Sequence, residues 1–252
     1  MLNIGWFSTG RDEAARQLLQ AVQDSSRSGD ISGEISFVFS NREPGEANES
    51  DLFFELVQSY SIPLVYLSHN KFRSAVGESD WRVKYGREVN KQIESFAPDL
   101  IVLAGYMLIV DKELCRKYDM INLHPAPPGG PTGSWQEVIW ALVQDRAETA
   151  GAMMHLATPE LDRGPVVSYC LFSITGEPFA EYWRRDDRDM LFRLIRQHEL
   201  AREFPLIILT LQAVSRGDVG IKDGRVVDAR GNVISGYDLS DRVDEEVKKS
   251  LR

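Results

Sequence analysis

Four short runs constrain the first half of this chain most strongly. Leu2–Phe7, Ile35–Phe39, Leu64–Leu67 and Leu100–Ala104 are almost continuously apolar. A strand wetted on one face alternates apolar and polar residues, whereas a strand covered on both faces does not. Segments with helical spacing lie between these runs. Asp12–Gln23 places Ala15, Leu18, Leu19 and Val22 on one stripe, Ser50–Ser61 reads as a second helix, and the polar stretch 68–85 leads into a third ending near Phe96. A short helix over Asp111–Lys117 then precedes another apolar run, Met120–Leu123. Such alternation predicts an α/β fold with a mostly parallel central sheet covered by helices on both faces. Functional groups in these sheets gather beyond the carboxyl ends of the strands, where Ser8, Gly105 and His124 fall.

The second half reads differently. Trp135–Gln144 is a helix, and Ala150–Leu156 and Val166–Ile174 form an expected antiparallel pair around a turn at Asp162. Glu177–Asp189 is polar and aromatic and reads as a loop. Met190–Ser215 is a long amphipathic helix with a potential break at Pro205. The tail from Val219 to Ile234 carries Asp223-Gly224 and Gly231-Asn232 turn signals and reads as β-hairpins. The economical division is one domain over residues 1–215 with a C-terminal hairpin extension over 216–252.

The composition excludes several classes. A net charge of −9 disfavours nucleic acid as a partner. Two cysteines, Cys115 and Cys170, do not build a disulfide framework and read as reduced thiols. The first eight residues turn polar too soon for a signal peptide, and no run reaches membrane-spanning length. A cytoplasmic protein, monomeric or homodimeric and without a membrane partner, is expected.

The chemistry is concentrated in Met120-Ile-Asn-Leu-His-Pro125 and Leu161-Asp-Arg-Gly-Pro165. Asn122 and His124 are two apart, so on a strand their side chains leave from one face. Asp162 lies in a turn able to reach the same place. An amide that donates to an oxyanion, with an imidazole and a carboxylate that manage protons, suits acyl-type transfer. No metal-ligand motif such as His-Glu-x-x-His is present, so no metal is expected. His155 reads as a structural histidine rather than a catalytic one, and His69 and His198 as surface or helix residues. Gly129-Gly-Pro-Thr-Gly133 lacks a Walker lysine and reads as a flexible lid. The first turn also lacks Gly-x-Gly-x-x-Gly, which disfavours a dinucleotide oxidoreductase despite the Rossmann-like layout.

In order along the chain, five fragments resemble the folate-dependent formyltransferases, particularly the glycinamide ribonucleotide branch. They are Phe37-Val-Phe-Ser-Asn-Arg42, Pro98–Met107, Ile121-Asn-Leu-His-Pro125, Leu161-Asp-Arg-Gly-Pro165, and Glu199–Pro205 followed by Leu206-Ile-Ile208. The resemblance implies the formyltransferase fold and transfer of a formyl group from 10-formyltetrahydrofolate to a primary amine through a tetrahedral intermediate. It implies that Asn122 binds the oxyanion, that His124 stabilises the same charge or shuttles a proton, and that Asp162 orients the imidazole and helps deprotonate the amine. It places the folate ring along Tyr106, Met107, Leu108 and Ile109, with backbone from Ala157 through Glu160 and Leu161 to Asp162 opposite. The acceptor would meet Gly10, Arg11, Asp12 and Glu199.

The acceptor positions depart from that pattern. The family's purine-pathway members cradle a substrate phosphate in a glycine- and asparagine-rich loop after the first strand. Here that loop is Ser8-Thr9-Gly10-Arg11-Asp12-Glu13, with one glycine and two carboxylates. Leu108 stands where those members tend to carry arginine, Ser134-Trp135 replaces a histidine after the lid glycine, and Glu199 is shifted by one residue relative to Pro205. The aromatic stretch with Phe179, Tyr182 and Trp183 reads either as one wall of the acceptor site or as a packed surface loop. The same chemistry on a different amine is the expectation; a formyltetrahydrofolate hydrolase and a non-catalytic folate-binding protein are the alternatives.

Overall fold

The computed structural model describes residues 1–250, and these divide into two compact units. The first unit holds residues 1–122 with the short segment 157–160. Its elements are β1 (Leu2–Phe7), α1 (Glu13–Ser28), β2 (Gly33–Ser40), α2 (Asn48–Ser59), β3 (Leu64–Tyr66), α3 (His69–Val76), α4 (Trp81–Ile93), β4 (Leu100–Leu103), α5 (Lys112–Lys117) and the start of β5 (Met120–His124). The strands run in the order β5-β4-β1-β2-β3, and every pairing among them is parallel.

Successive side chains on a strand point to opposite faces, which divides the apolar runs between two layers. Phe7, Phe37, Phe39, Ile101 and Leu103 pack with Trp81, Tyr85, Val89 and Ile93 of α4 and Leu114 of α5. Trp6, Val38 and Val102 take the other face, and α1 and α2 bury Leu18, Leu19, Val22, Phe53 and Val57. The α/β architecture with its mostly parallel sheet is the one the apolar runs predict. The observed α1 runs to Ser28, past the expected Gln23, and stops at Gly29, which takes the left-handed conformation that caps a helix without a Cβ penalty.

The second unit holds residues 123–156 and the chain from 161 onward. It contains α6 (Trp135–Gln144), β6 (Thr149–Leu156), β7 (Val166–Ser173), α7 (Ala180–Arg185), α8 (Arg188–Arg216), β8 (Val219–Lys222), β9 (Arg225–Asp228), β10 (Tyr237–Asp238) and α9 (Ser240–Ser250). As expected, β6 and β7 are antiparallel, and β8 and β9 form a hairpin through Asp223-Gly224. Three expectations are corrected. The stretch 177–189 contains the helix α7 and the start of α8 rather than loop alone. Helix α8 continues through Pro205, whose missing N–H leaves one ladder bond unmade without ending the helix. The C-terminal extension is more than hairpins: β10 pairs in parallel with β7, and α9 follows. Residues 251 and 252, the end of that extension, lie outside the described residues.

Candidate active site

Strand β5 ends in Asn122-Leu-His124, so the amide and the imidazole are two residues apart on one strand and leave from the same side. Asn122 is half-buried, whereas His124 is 2% exposed. In the second unit a turn carries Asp162 at φ +52, a left-handed conformation that aspartate tolerates better than most residues. The turn aims the carboxylate between two imidazoles. Asp162 Oδ2 lies 3.6 Å from His124 Nδ1, and Oδ1 lies 3.5 Å from His155 Nε2. The two rings meet edge to face, with centroids 6.0 Å apart.

His155, expected as a satisfied structural histidine, is buried; its Nε2 lies beside the carboxylate that also faces His124, and its Nδ1 donates to the Leu156 carbonyl at 2.9 Å. No local sequence pattern distinguishes it; only the path of the chain from β6 through the 161–162 turn brings it to Asp162.

The segment expected to act as a lid is tied to the same groups. The Gly133 N–H donates to Asp162 Oδ2 at 3.0 Å, and His124 Nε2 donates to the Pro131 carbonyl at 3.0 Å. Ser134 and Glu137 form a capping box that holds the end of the segment on α6.

Charge follows from this packing. Burial lowers the His124 pKa, with the Pro131 carbonyl and the Asp162 charge opposing the shift without overcoming it. Burial opposes the charge on Asp162, but the His155 ring, the Gly133 N–H and the His124 ring outweigh it, and the pKa lies below the usual carboxylate value. A neutral base beside a persistent carboxylate can accept or relay a proton near neutral pH. Neither cysteine offers a competing nucleophile, because burial pushes the Cys115 thiol to about 11 and the Cys170 thiol to about 12.

The first unit carries the expected ring-binding residues. Tyr106, Leu108 and Ile109 line a small surface depression together with Phe7, Trp81 and Tyr85. Met107 and Ile109 are 45% and 41% exposed, so apolar surface faces outward here. Ala157 packs against this cluster, its N–H donates to the Met120 carbonyl at 2.8 Å, and Glu160 is exposed. Leu161, in the second unit, is 50% exposed.

Gly10, Arg11 and Asp12 lie between β1 and α1, with Gly10 buried and the other two half-buried. Glu199 stands apart from the expectation for an acceptor contact. It is 0% exposed, and neither carboxylate oxygen has a hydrogen-bond partner. Burial, then the Glu203 charge, raises its pKa well above the ordinary value.

In the second unit the Asp162 carboxylate thus lies between two imidazoles, an arrangement able to hold or relay a proton. Comparison with known proteins names the class: the formyl transferase family model matches residues 12–177, and the chain belongs to that family. It is similar to phosphoribosylglycinamide formyltransferase of Escherichia coli K12, at 31% identity over 59% of this chain and 64% of that protein. It is also similar to formyltetrahydrofolate deformylase of Haemophilus influenzae, at 29% identity over 54% of this chain and 46% of that protein. The matched stretch thus spans under two thirds of either relative. The solved phosphoribosylglycinamide formyltransferase of Coxiella burnetii superposes with a TM-score of 0.73 at 24% identity, over 94% of this chain and 98% of that one, and shares the fold. Among the described residues, no helix is long and apolar enough to cross a membrane.

Proposed function

We propose that this chain transfers a formyl group from 10-formyltetrahydrofolate to the primary amine of a small molecule. The observation that carries the reading is the Asp162 carboxylate held between His124 and His155, on a chain whose β5 also presents Asn122. The folate supplies the formyl carbon. Asn122 donates its amide to the oxyanion of the tetrahedral intermediate, and His124 steadies that charge or relays the proton lost by the amine. Asp162 orients the imidazole and takes part in removing that proton. The outward apolar residues Met107 and Ile109, beside Tyr106 and Leu108, offer a planar ring apolar contact, with backbone groups of the 157–160 segment for its polar edge. On this reading residues 1–215 carry the reaction, and the remainder extends the second unit.

The deformylase relative supports one alternative, in which water replaces the amine and formate is released. Tetrahydrofolate release from 10-formyltetrahydrofolate, followed with and without amines, tests both. Amine-dependent release bears out transfer, release with formate in the absence of amine bears out hydrolysis, and folate binding without release leaves a binding protein.

A further inference from the structure

Resting on the formyl-transfer reading, we propose that the acceptor carries no phosphate, and that Asp12 and Glu13 exclude one. In the first unit the chain proceeds from β1 outward to β2 and β3, then returns to the other side of β1 for β4 and β5. The gap between the ends of β1 and β4 is therefore the switch point at which sheets of this kind hold their ligands. Its floor is closely tied. The Ala104 N–H donates to the Phe7 carbonyl at 3.0 Å, and the Thr9 N–H to the Gly105 carbonyl at 3.1 Å. Phe7, Leu103 and Asn122 are in register across three strands, which puts Asn122 about 10 Å from the end of β1. A small acceptor with its amine near Asn122 extends its far end to the first turn of α1.

An unmodified helix N-terminus there would attract phosphate through its N–H groups and its dipole. This chain opposes that attraction with its own side chains. Asp12 Oδ1 accepts the Ala15 N–H at 3.0 Å, and its other oxygen pairs with Arg11 Nε at 3.4 Å. Glu13 occupies the first turn and is exposed. Arg11 is outnumbered by the two carboxylates beside it. The neighbouring cation Arg42 donates to Ser50 Oγ at 3.0 Å, and Ser50 in turn donates to the Thr9 carbonyl, which ties that guanidinium to the back of the loop.

The loop's backbone is also engaged. The Gly10 N–H donates to Ser8 Oγ at 3.2 Å, while the Thr9 hydroxyl donates to Asn41 and accepts the Met107 N–H at 3.0 Å. The remaining glycine has a packing reason of its own: at φ +63, a Cβ on Gly10 would lie 2.8 Å from Phe53. The acceptor's far end is uncharged or cationic, as in a hydroxylated amine, an amino-acid amide or a diamine.

The test compares two probes on the full chain by calorimetry: phosphoribosylglycinamide and its dephosphorylated riboside, each in the presence of tetrahydrofolate. The expected result is that phosphate adds less than about tenfold to affinity, the gain of a single charge-assisted contact. A ribonucleotide held tighter by about tenfold or more overturns the proposal. Asp12→Ser/Glu13→Ser, checked for folding by its thermal midpoint, is expected to raise the preference for the phosphorylated probe. Tetrahydrofolate titrated alone separates the two readings: its failure to bind removes formyl transfer, whereas the ratio of the probes judges the loop.

Discussion

Asp162 Oδ2 lies 3.6 Å from His124 Nδ1, slightly too far for a direct hydrogen bond, while the opposite nitrogen of that ring donates to Pro131 at 3.0 Å. The backbone contact fixes the neutral tautomer with its proton on Nε2 and turns the Nδ1 lone pair toward the carboxylate. A proton taken up on Nδ1 would face the Asp162 carboxylate, which the His155 ring, the Gly133 N–H and the His124 ring together hold ionised.

Asp162→Asn keeps the size of the side chain but removes the carboxylate proposed to orient His124 and to help remove the amine proton. Turnover is expected to fall by about 10²–10⁴, the usual range for a lost proton-transfer group. Folate affinity should stay within about an order of magnitude, because the carboxylate manages protons rather than the ring. Single-turnover rates and equilibrium folate titration of the same preparation separate the two quantities. Unchanged turnover would remove Asp162 from the mechanism.

The same substitution makes a prediction about titration. Burial holds the His124 pKa below its ordinary value, and the negative charge on Asp162 limits that fall. Asparagine removes the opposing charge, so the His124 pKa is expected to drop further. The depressed value also has a sign for stability. The unfolded chain protonates His124 first as pH falls, so this histidine contributes loss of stability between its unfolded and folded pKa values. Imidazole proton shifts followed by NMR against pH in both proteins check the order; an upward move in the variant would contradict the assigned geometry.

How much of this was legible in the sequence depended on how locally each feature was encoded. β1 was bounded correctly because its largely apolar run ends at Ser8-Thr9-Gly10. Asn122 and His124 could be paired because a strand fixes which residues share a face. His155 could not, since its partner lies across a turn whose left-handed Asp162 has no unique signature. The helix α9 buries only Val243 among its described side chains, so it offers little apolar periodicity to read. Glu199 entered only through the resemblance, as an acceptor contact; its full burial on helix α8 could not be read from the sequence, since glutamate is rarely enclosed.

That enclosure predicts an unusual pH response. Glu199 keeps its proton in the fold well above the pH at which the unfolded chain releases it. The folded state therefore binds more protons over that interval, and the contribution of Glu199 to stability declines as pH rises from about 4.5 toward the raised folded value. Glu199→Gln has similar shape and no charge to lose. The variant should match the wild type near pH 4 and become progressively more stable than it at higher pH. Urea midpoints across pH measure the difference, and parallel curves would show that Glu199 is ionised in the fold.

Gly86 and Asp111 make the last prediction. Gly86 lies within α4, and a Cβ there would fall 1.6 Å from Asp111 Oδ2, an enclosed oxygen with no hydrogen-bond partner. In an open helix, glycine to alanine gains about 1 kcal/mol. Here the overlap should reverse the sign and cost about 1–3 kcal/mol. Asp111→Ala alone loses the bond from the Glu113 N–H to Oδ1 that caps α5, worth about 1 kcal/mol. With Asp111 removed, the space beside Gly86 opens, and Gly86→Ala should become stabilising. Urea unfolding of the two single variants and the double variant gives the coupling directly. Equal effects of Gly86→Ala in both backgrounds would mean that helix α4 and the Asp111 carboxylate do not compete for this space.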